Sequence, residues 1–388
     1  MKILGIHGGV TPLQHEPSAA LIIDGQIIAA MEEERFVRKK NAAGLIPILS
    51  IQACLKEARL SIKDIDIITH PGDTSPDLKS RIELYMHHYF GHCPPVQLVN
   101  HQLAHLASAF FGSTFSEAMC LSYDGYGDKL SGAIGIGNAA GISVQETISL
   151  DNSLGRFYSA MTSYLGFEVA EAEYKVMGLA PYGRSEIDLT SIINVDDTSY
   201  KIDTSYFRPT DQTSSILSGQ VSEPPIRSFS EPWYSQKLVD LLGPPRHKGE
   251  TLTQHHRDIA ASIQASFEAA TISIVRSGYE KLKIPYLAMA GGCALNCKAN
   301  NAIRQLPFIK GLFVQPAASD RGLALGAALL GAKDANEMQP GLSHVFLGPT
   351  YTEQDVLQAL DVARVRYKRI DNPSIEAARR IAAGQIVG

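Results

Sequence analysis

The chain has 388 residues, of which 45% are apolar and 19% charged, and its net charge is -5. These values are typical of a folded protein of two or three domains, and the acidic balance argues against nucleic acid as the main partner. No apolar run reaches the ~20 residues that a membrane-spanning helix needs, and the first residues, MKILGIHGG, lack the apolar segment of a signal peptide. Five scattered cysteines indicate reduced thiols. We therefore expect a cytoplasmic protein that contacts neither a membrane nor nucleic acid.

The first part of the chain alternates predicted strands and helices. The pair Asp24-Gly25 indicates a tight hairpin between two apolar runs. We predict strands at 2–6, 19–23, 26–31 and 65–69, and helices at 46–57 and 79–90.

The stretch from Val96 to Phe110 combines a short apolar run with a helical pattern that begins after Asn100, a favourable N-cap. His101 and His105 are four residues apart, so their rings lie on one face of that helix. Both stand in its first turn, where the macrodipole disfavours a protonated ring, and neutral imidazole is the form that binds metal. Two partly buried histidines that donate to the backbone would give the same pattern.

The opening arrangement recurs further along the chain. A predicted strand at 118–123 ends in DGYGD, and a hairpin at 132–137 and 142–148 follows, as in residues 2–31. This repeat of strand, polar loop and hairpin predicts an α/β protein of the actin-like ATPase class, which includes sugar kinases and Hsp70, with ligands at the strand ends. The predicted organisation is a first actin-like half at 1–115 and a second at 116–371.

The later elements complete the second half. Residues 184–250 have weak periodicity and predict an irregular insertion, a candidate lid or specificity region. We predict helices at 253–277, 323–332 and 374–383, and strands at 286–290 and 312–315. Ile386-Val387 resembles the start of another strand. We therefore expect residues 372–388 to begin a further, truncated domain.

Two aspartates end predicted strands next to the repeated loops. Asp124 and Asp320 are ordinary candidates for a turn or a helix cap. With His101 and His105, however, they form a set of two imidazoles and two carboxylates on three strand-end loops. Such mixed ligands suit Fe(II), Mn(II) or Zn(II) and argue against a structural zinc site, which prefers thiolates.

A second candidate site is glycine-rich. Gly291 and Gly292 lie between a strand and a helix, where the backbone approaches a phosphate closely. Asn296 and Gly322 strengthen this indication, so we expect an adenine nucleotide between the two halves.

Seven motifs together carry a resemblance to a known family. They are HxxSAALIxDG (15–25), EEERFxRxK (32–40), NHQLAH (100–105), SYDGYGD (122–128), EYKVMGLAPYG (173–183), GGCALN (291–296) and ASDRGLALGAAL (318–329). In this combination the chain resembles the O-carbamoyltransferases of nodulation protein U and the tobramycin and cephalosporin carbamoyltransferases. The resemblance covers essentially the whole chain.

The resemblance implies a function in natural-product or antibiotic biosynthesis. In that family a C-terminal YrdC-like domain makes carbamoyl adenylate from ATP and carbamoyl phosphate. The actin-like domain then transfers the carbamoyl group to a hydroxyl of a small-molecule acceptor, with an iron-type ion holding the adenylate. The YrdC-like domain is absent here beyond a first helix, so the chain is expected to need that domain as a partner for the adenylation step.

The resemblance also implies roles for individual residues. The metal ligands would be His101, His105, Asp124 and Asp320, and His15 would be the base near the acceptor hydroxyl. The motif at 173–183 places Glu173 and Lys175 with the glycines as nucleotide contacts. The family usually has Asp where this chain has Glu16.

Three other functions share parts of this pattern. A tRNA threonylcarbamoyl-transfer protein has the same fold and the paired histidines, but the chain shows no basic stripe for RNA. A sugar-kinase-like phosphotransferase would hold Mg²⁺ with carboxylates and water, which paired histidines fit poorly. A non-catalytic nucleotide-binding module would not need the metal ligands. The sequence identifies neither the acceptor nor the oligomeric state.

Overall fold

The structure is a computed structural model that describes residues 1–9, 14–74, 76–209, 231–334 and 341–388. It divides into two compact units, residues 1–348 and residues 349–388. Among the described residues, no helix is both long enough and apolar enough to cross a membrane.

The first sheet of the larger unit has three antiparallel strands followed by two parallel ones. Its strands are β1 (Lys2–His7), β2 (Ser18–Ile23), β3 (Gln26–Glu32), β4 (Ile67–Pro71) and β5 (Val96–Val99). Their order across the sheet is β3-β2-β1-β4-β5, with β1 antiparallel to β2 and parallel to β4. The hairpin predicted at Asp24-Gly25 is confirmed: it joins β2 to β3.

The second sheet repeats this topology. The strands that follow in the chain are β6 (Ala118–Gly127), β7 (Leu130–Asn138), β8 (Gly141–Ser149), β9 (Ile193–Val195), β10 (Tyr200–Ile202), β11 (Tyr286–Ala290) and β12 (Gly311–Val314). The order β8-β7-β6-β11-β12 corresponds strand for strand to β3-β2-β1-β4-β5. The duplicated arrangement confirms the predicted actin-like ATPase fold.

Helices surround and separate the two sheets. In the larger unit they are α1 (Glu33–Val37), α2 (Ile48–Glu57), α3 (Leu78–Phe90), α4 (His101–Phe110), α5 (Leu154–Tyr164), α6 (Glu173–Leu179), α7 (Gln236–Leu242), α8 (Gln254–Leu282), α9 (Cys297–Arg304) and α10 (Leu323–Asp334). The alternation of side chains along each strand sorts the core into layers. Leu4 and Ile6 face α2 and α3, whereas Ile3 faces a central layer that contains α4 and α10. The outer face of the second sheet packs on α5 and α8.

The two helices of the central layer cross over between the halves. Helix α4 follows the first sheet but packs on the second, where a Cβ on Gly137 would lie 2.4 Å from the Phe110 ring. Helix α10 follows the second sheet but packs on the first, where a Cβ on Gly5 would lie 1.9 Å from the carbonyl oxygen of Ala324. Glycine is needed at both positions because the neighbouring groups leave no space for a side chain.

The predicted insertion is more regular than its sequence suggested. Between residues 184 and 250 the described part contains the two-stranded ribbon β9–β10 and helix α7, and Ile193, Ile202 and Leu238 are buried in the core. Strands of three residues, such as β9 and β10, are too short to show a clear alternation of apolar and polar residues, so the sequence did not indicate them. The rest of this prediction falls on residues 210–230, outside the described part of the chain.

The smaller unit contains α11 (Glu353–Val362) and α12 (Pro373–Ala382). The helix predicted at 374–383 is therefore confirmed. The strand predicted at Ile386-Val387 is wrong, because no regular element is assigned after α12 and two β-branched residues without a pairing strand do not make one. The assignment of residues 372–388 to a further domain stays a prediction.

Candidate metal centre

Helix α4 places two imidazoles side by side. The side chain of Asn100 accepts a hydrogen bond from the Leu103 amide (3.1 Å), which confirms the predicted N-cap. The rings of His101 and His105 are buried, and their centroids lie 4.8 Å apart. A Cβ on Gly127 would lie 2.0 Å from the His101 ring, so the absence of a side chain there leaves room for this imidazole.

Asp124 completes one side of the site. Its Oδ1 accepts the backbone N–H of Gly125 (2.7 Å) and of Gly292 (3.3 Å). Its Oδ2 lies 3.0 Å from Nε2 of His105 and 3.4 Å from Nε2 of His101. The backbone therefore fixes one carboxylate oxygen and directs the other at both imidazoles.

Asp320 faces the same two rings from the other side. It begins the 3-10 turn Asp320–Gly322 that leads into α10. Its Oδ1 lies 3.5 Å from Nε2 of His105 and 3.6 Å from Nε2 of His101. The structure thus brings together the four residues that the sequence analysis proposed as metal ligands, with one donor atom of each within 4.8 Å of the others.

This donor set fits a divalent transition metal. Bonds of about 2.0–2.2 Å to nitrogen and oxygen place neighbouring ligand atoms roughly 3.0–3.5 Å apart, close to the separations above. Two carboxylates in a buried site also require nearby positive charge. Two neutral imidazoles and two carboxylates would neutralise a divalent cation and suit Fe(II), Mn(II) or Zn(II).

The pKa shifts express the same requirement for positive charge. Burial lowers the pKa of His105, but the hydrogen bonds with Asp124 and Asp320 raise it more, to about 9. Burial and the charge of Asp320 raise the pKa of Asp124, whereas hydrogen bonds with the two histidines lower it, to about 2. Without a metal, the two carboxylates thus outweigh the helix macrodipole at His105, and the neutral ring expected for the metal-bound form stays a prediction.

His15 lies outside this set of four. Its side chain is 28% exposed, and its Nδ1 lies 3.7 Å from Oε2 of Glu16. Burial lowers the pKa of His15, but the hydrogen bond and the charge of Glu16 raise it to about 9, helped by the charges of Asp320 and Asp124. His15 is thus in electrostatic reach of the candidate centre and protonated at neutral pH in the metal-free protein. A base must first lose that proton.

The three glycines predicted for the nucleotide site lie beside the candidate metal centre. Gly291 has φ 96°, and a Cβ there would lie 2.3 Å from the Tyr123 carbonyl oxygen. Gly292 donates to Asp124 as described above. Gly322 is similarly close to backbone, since a Cβ would lie 2.3 Å from the Ala317 carbonyl oxygen. These glycines allow close packing around the proposed ligands.

The other predicted nucleotide contacts already have protein partners. Asn296 is buried, caps α9 by accepting from the Ala299 amide (3.0 Å), and exchanges hydrogen bonds with Gln264. Glu173 accepts from the Ser159 hydroxyl and the Ala170 amide, both at 2.8 Å. Lys175 lies over the rings of Phe167 and Tyr174, each 5.9 Å from its Nζ. A role in nucleotide binding stays a prediction for all three.

The sequence analysis missed two residues around the site. His7, at the end of β1, is buried, and its Nε2 lies 3.5 Å from Oδ2 of Asp320. A histidine between a buried strand and two glycines was the available signal. Arg321 reaches the first half, where its Nη2 lies 2.9 Å from Oε1 of Glu16 and 3.2 Å from Oε2 of Glu34. The three consecutive glutamates at 32–34 predict a basic partner, but nothing in the sequence indicates that Arg321 is that partner.

Comparisons with known proteins identify the family. The profile described as "Carbamoyltransferase N-terminus" matches residues 2–89 and 86–329. The uncharacterized protein sll1178 of Synechocystis is 32% identical, over 98% of this chain and 67% of its own length. Nodulation protein NolNO of Sinorhizobium fredii is 30% identical, over 100% of this chain and 59% of its own length.

A third relative, nodulation protein NolO of Bradyrhizobium diazoefficiens, is 32% identical over 75% of this chain and 49% of its own length. The chain therefore spans between about half and two thirds of the length of these three relatives. The profile match at residues 2–89 and 86–329 covers both sheets and all four proposed metal ligands. The chain belongs to the carbamoyltransferase family, whose N-terminal region it matches.

Proposed function

We propose that this chain transfers a carbamoyl group from carbamoyl adenylate to a hydroxyl group of a small-molecule acceptor. The observation that carries the proposal is the convergence of His101, His105, Asp124 and Asp320 at the strand ends of an actin-like fold. Membership of the carbamoyltransferase family supplies the reaction class. Iron(II) is the first candidate for the metal, with zinc and manganese as alternatives.

The four ligands would hold the ion between the two sheets. A bound divalent cation supplies Lewis acidity, which eases the departure of a phosphate by stabilising the charge that builds on it. The backbone amides of Gly125 and Gly292 keep Asp124 in place for this purpose. Because the donors are already oriented, little rearrangement is needed on binding.

His15 is the proposed acid–base residue for the acceptor. Its ring is partly exposed and can be reached by a hydroxyl group, while Glu16 lies 3.7 Å from its Nδ1. A metal cation at Asp320 and Asp124 would offset the part of the rise in the His15 pKa that these two carboxylates cause, whereas the larger part, from Glu16, would remain. After transfer the protonated ring would retain the proton taken from the acceptor.

We further propose that adenine nucleotide binds near Gly291, Gly292 and Gly322, with Asn296, Glu173 and Lys175 as candidate contacts. Adenylation from ATP and carbamoyl phosphate is assigned to a C-terminal YrdC-like domain. The test is the rate at which carbamoylated product forms, measured by mass spectrometry, for this chain alone and for a chain extended through that domain. Equal rates from both would contradict this division of labour.

The metal is tested by elemental analysis of purified protein. Wild type should bind about one equivalent, and His105→Ala should bind much less. His88→Ala is the matched control, because His88 is an exposed histidine at the end of α3. Equal metal content in wild type and His105→Ala would contradict the site.

The alternatives make different predictions. A tRNA threonylcarbamoyl-transfer protein would retain tRNA in a filter-binding assay, with affinity that falls steeply as salt rises. A non-catalytic module of the same fold would bind nucleotide in calorimetry but give no carbamoylated product from any acceptor, even when extended.

A further inference from the structure

We propose that His7 is a positioning residue of the candidate metal centre, donating from Nε2 to Oδ2 of Asp320 and thereby directing Oδ1 at the two histidine ligands. The inference rests on the metal centre proposed above, and it concerns how the protein holds one of its ligands.

The two carboxylate ligands are supported differently. Oδ1 of Asp124 accepts two backbone N–H groups, from Gly125 and Gly292, which leaves Oδ2 for the metal. Asp320 is the first residue of a 3-10 turn whose N-cap, Ser319, makes no side-chain capping bond, and the contacts of its own carboxylate are with histidine rings. Within the described residues, His7 is the group found against its Oδ2, at 3.5 Å. His7 therefore takes the place that backbone amides have at Asp124.

The register of β1 explains this position. Leu4 and Ile6 face the outer helices, whereas Ile3, Gly5 and His7 point to the central layer by the two-residue alternation of a strand. Gly5 packs against the first turn of α10, and the turn that carries Asp320 immediately precedes that helix. His7, one alternation further along, accordingly meets Asp320.

The contact between the His7 ring and Gln14 bears on which ring nitrogen carries the hydrogen. The side-chain amide of Gln14 lies 3.5 Å from Nδ1 of His7, and when its NH₂ group donates there, Nδ1 is the acceptor and Nε2 carries the hydrogen. The reverse tautomer would direct a lone pair at the Asp320 carboxylate. In the described part of the chain Nε2 has no partner within strict hydrogen-bond geometry, although the ring is only 2% exposed, so the Asp320 carboxylate at 3.5 Å is the acceptor available to it.

Residues that orient metal ligands in this way typically change metal affinity by about 10–100-fold when they are replaced. His7→Phe keeps the ring volume but removes the N–H, so the affinity for Co(II), measured by competition with a chromophoric chelator, should fall by that factor. His7→Gln carries an N–H at the same distance along the side chain and should stay within about threefold of wild type on this scale. His7→Asn ends one bond shorter and should behave as His7→Phe does.

Two controls separate orientation from general damage. His70→Phe replaces another buried histidine of the same sheet, 5.9 Å from the His7 ring, and should leave Co(II) affinity unchanged. In an Asp320→Ala background, His7→Phe should cause no further loss, because the acceptor of its hydrogen bond is gone. The Co(II) absorption band gives a readout that does not depend on transfer activity.

The outcomes are distinguishable. If wild type binds no metal, the proposed centre is wrong and the role of His7 is wrong with it. If wild type binds Co(II) and His7→Phe binds equally well, only the role of His7 is refuted. Equal losses in His7→Phe, His7→Gln and His70→Phe would also refute it, since they would show that any change in this layer has the same effect.

Discussion

Replacing Arg321 by leucine should destabilise the protein at neutral pH. Its Nη2 lies 2.9 Å from Glu16, 3.2 Å from Glu34 and 3.0 Å from Oδ1 of Asn41. The side chain of Glu16 is 6% exposed and that of Glu34 is 10% exposed, so water cannot replace the guanidinium. The change would leave two carboxylates in the interior without this cation.

Removing one partner of a buried ion pair costs about 3–5 kcal/mol. Arg321 itself is 20% exposed, which favours the lower end, so we expect a loss of about 3 kcal/mol in the free energy of unfolding at pH 7. At an m-value of ~3 kcal/mol per M, the urea midpoint would fall by about 1 M.

The loss should depend on pH. Burial raises the pKa of Glu16, but the hydrogen bond with His15 and the charges of His15 and Arg321 lower it below the ordinary glutamate value. In wild type this carboxylate therefore adds stability above that ordinary value and loses it as pH falls through its folded-state pKa. Without Arg321 the folded-state pKa rises, so the deficit should be larger at pH 7 than at pH 5, which is closer to where Glu16 of the variant takes up a proton.

Urea unfolding followed by circular dichroism at both pH values measures this. Arg184→Leu is the control, since that side chain is 80% exposed and pairs with Glu186 only at 3.9 Å; it should change stability by less than about 0.5 kcal/mol. Adding Glu16→Gln to Arg321→Leu should recover part of the loss. A deficit below about 1 kcal/mol at pH 7, or one that does not change with pH, would refute the reasoning.

Two further predictions concern glycines whose Cβ position is occupied. Gly127→Ala would place a methyl group 2.0 Å from the His101 ring and should lower metal affinity at least ~10-fold. Gly125→Ala would place its methyl group where no atom lies within 4 Å, so metal affinity should be unchanged. A chelator titration of both variants measures the difference. Gly326→Ala would place a methyl group 1.9 Å from a carbonyl oxygen of α4 and should cost about 1–3 kcal/mol in urea unfolding. Gly178→Ala, in α6 with no atom within 4 Å, should be neutral or slightly stabilising, and equal effects in these two would show that the close approach does not matter.

The features that the sequence predicted well depend on short-range patterns. The hairpins, the repeated unit of strand, polar loop and hairpin, and the cap at Asn100 follow from neighbouring residues. The proximity of His101 to His105 follows from helical spacing. The two aspartates were predicted at strand ends, whereas Asp124 lies within β6 and Asp320 lies in the 3-10 turn after β12, although both face the histidines.

What the sequence did not predict depends on contacts between distant parts of the chain. His7 meets Asp320, and Arg321 meets Glu16, across about 300 residues, because α10 of the second half lies against the first sheet. The packing of one half against the other cannot be predicted from a local pattern in the sequence. The pKa of His105 in the absence of metal belongs to the same class, since it depends on two carboxylates that lie elsewhere in the sequence.

The exchange of α4 and α10 between the halves has a consequence for how the protein folds. The inner face of the first sheet, around Ile3 and Gly5, is covered by α10, which lies more than 200 residues after this sheet in the chain. That face stays exposed until α10 has packed on it. Equally, a fragment of residues 1–115 would carry α4 with Leu106 and Phe110 directed at a sheet that the fragment does not contain. The boundary at residue 115 therefore separates two structural repeats but not two independently stable domains, and the two repeats must acquire their cores together.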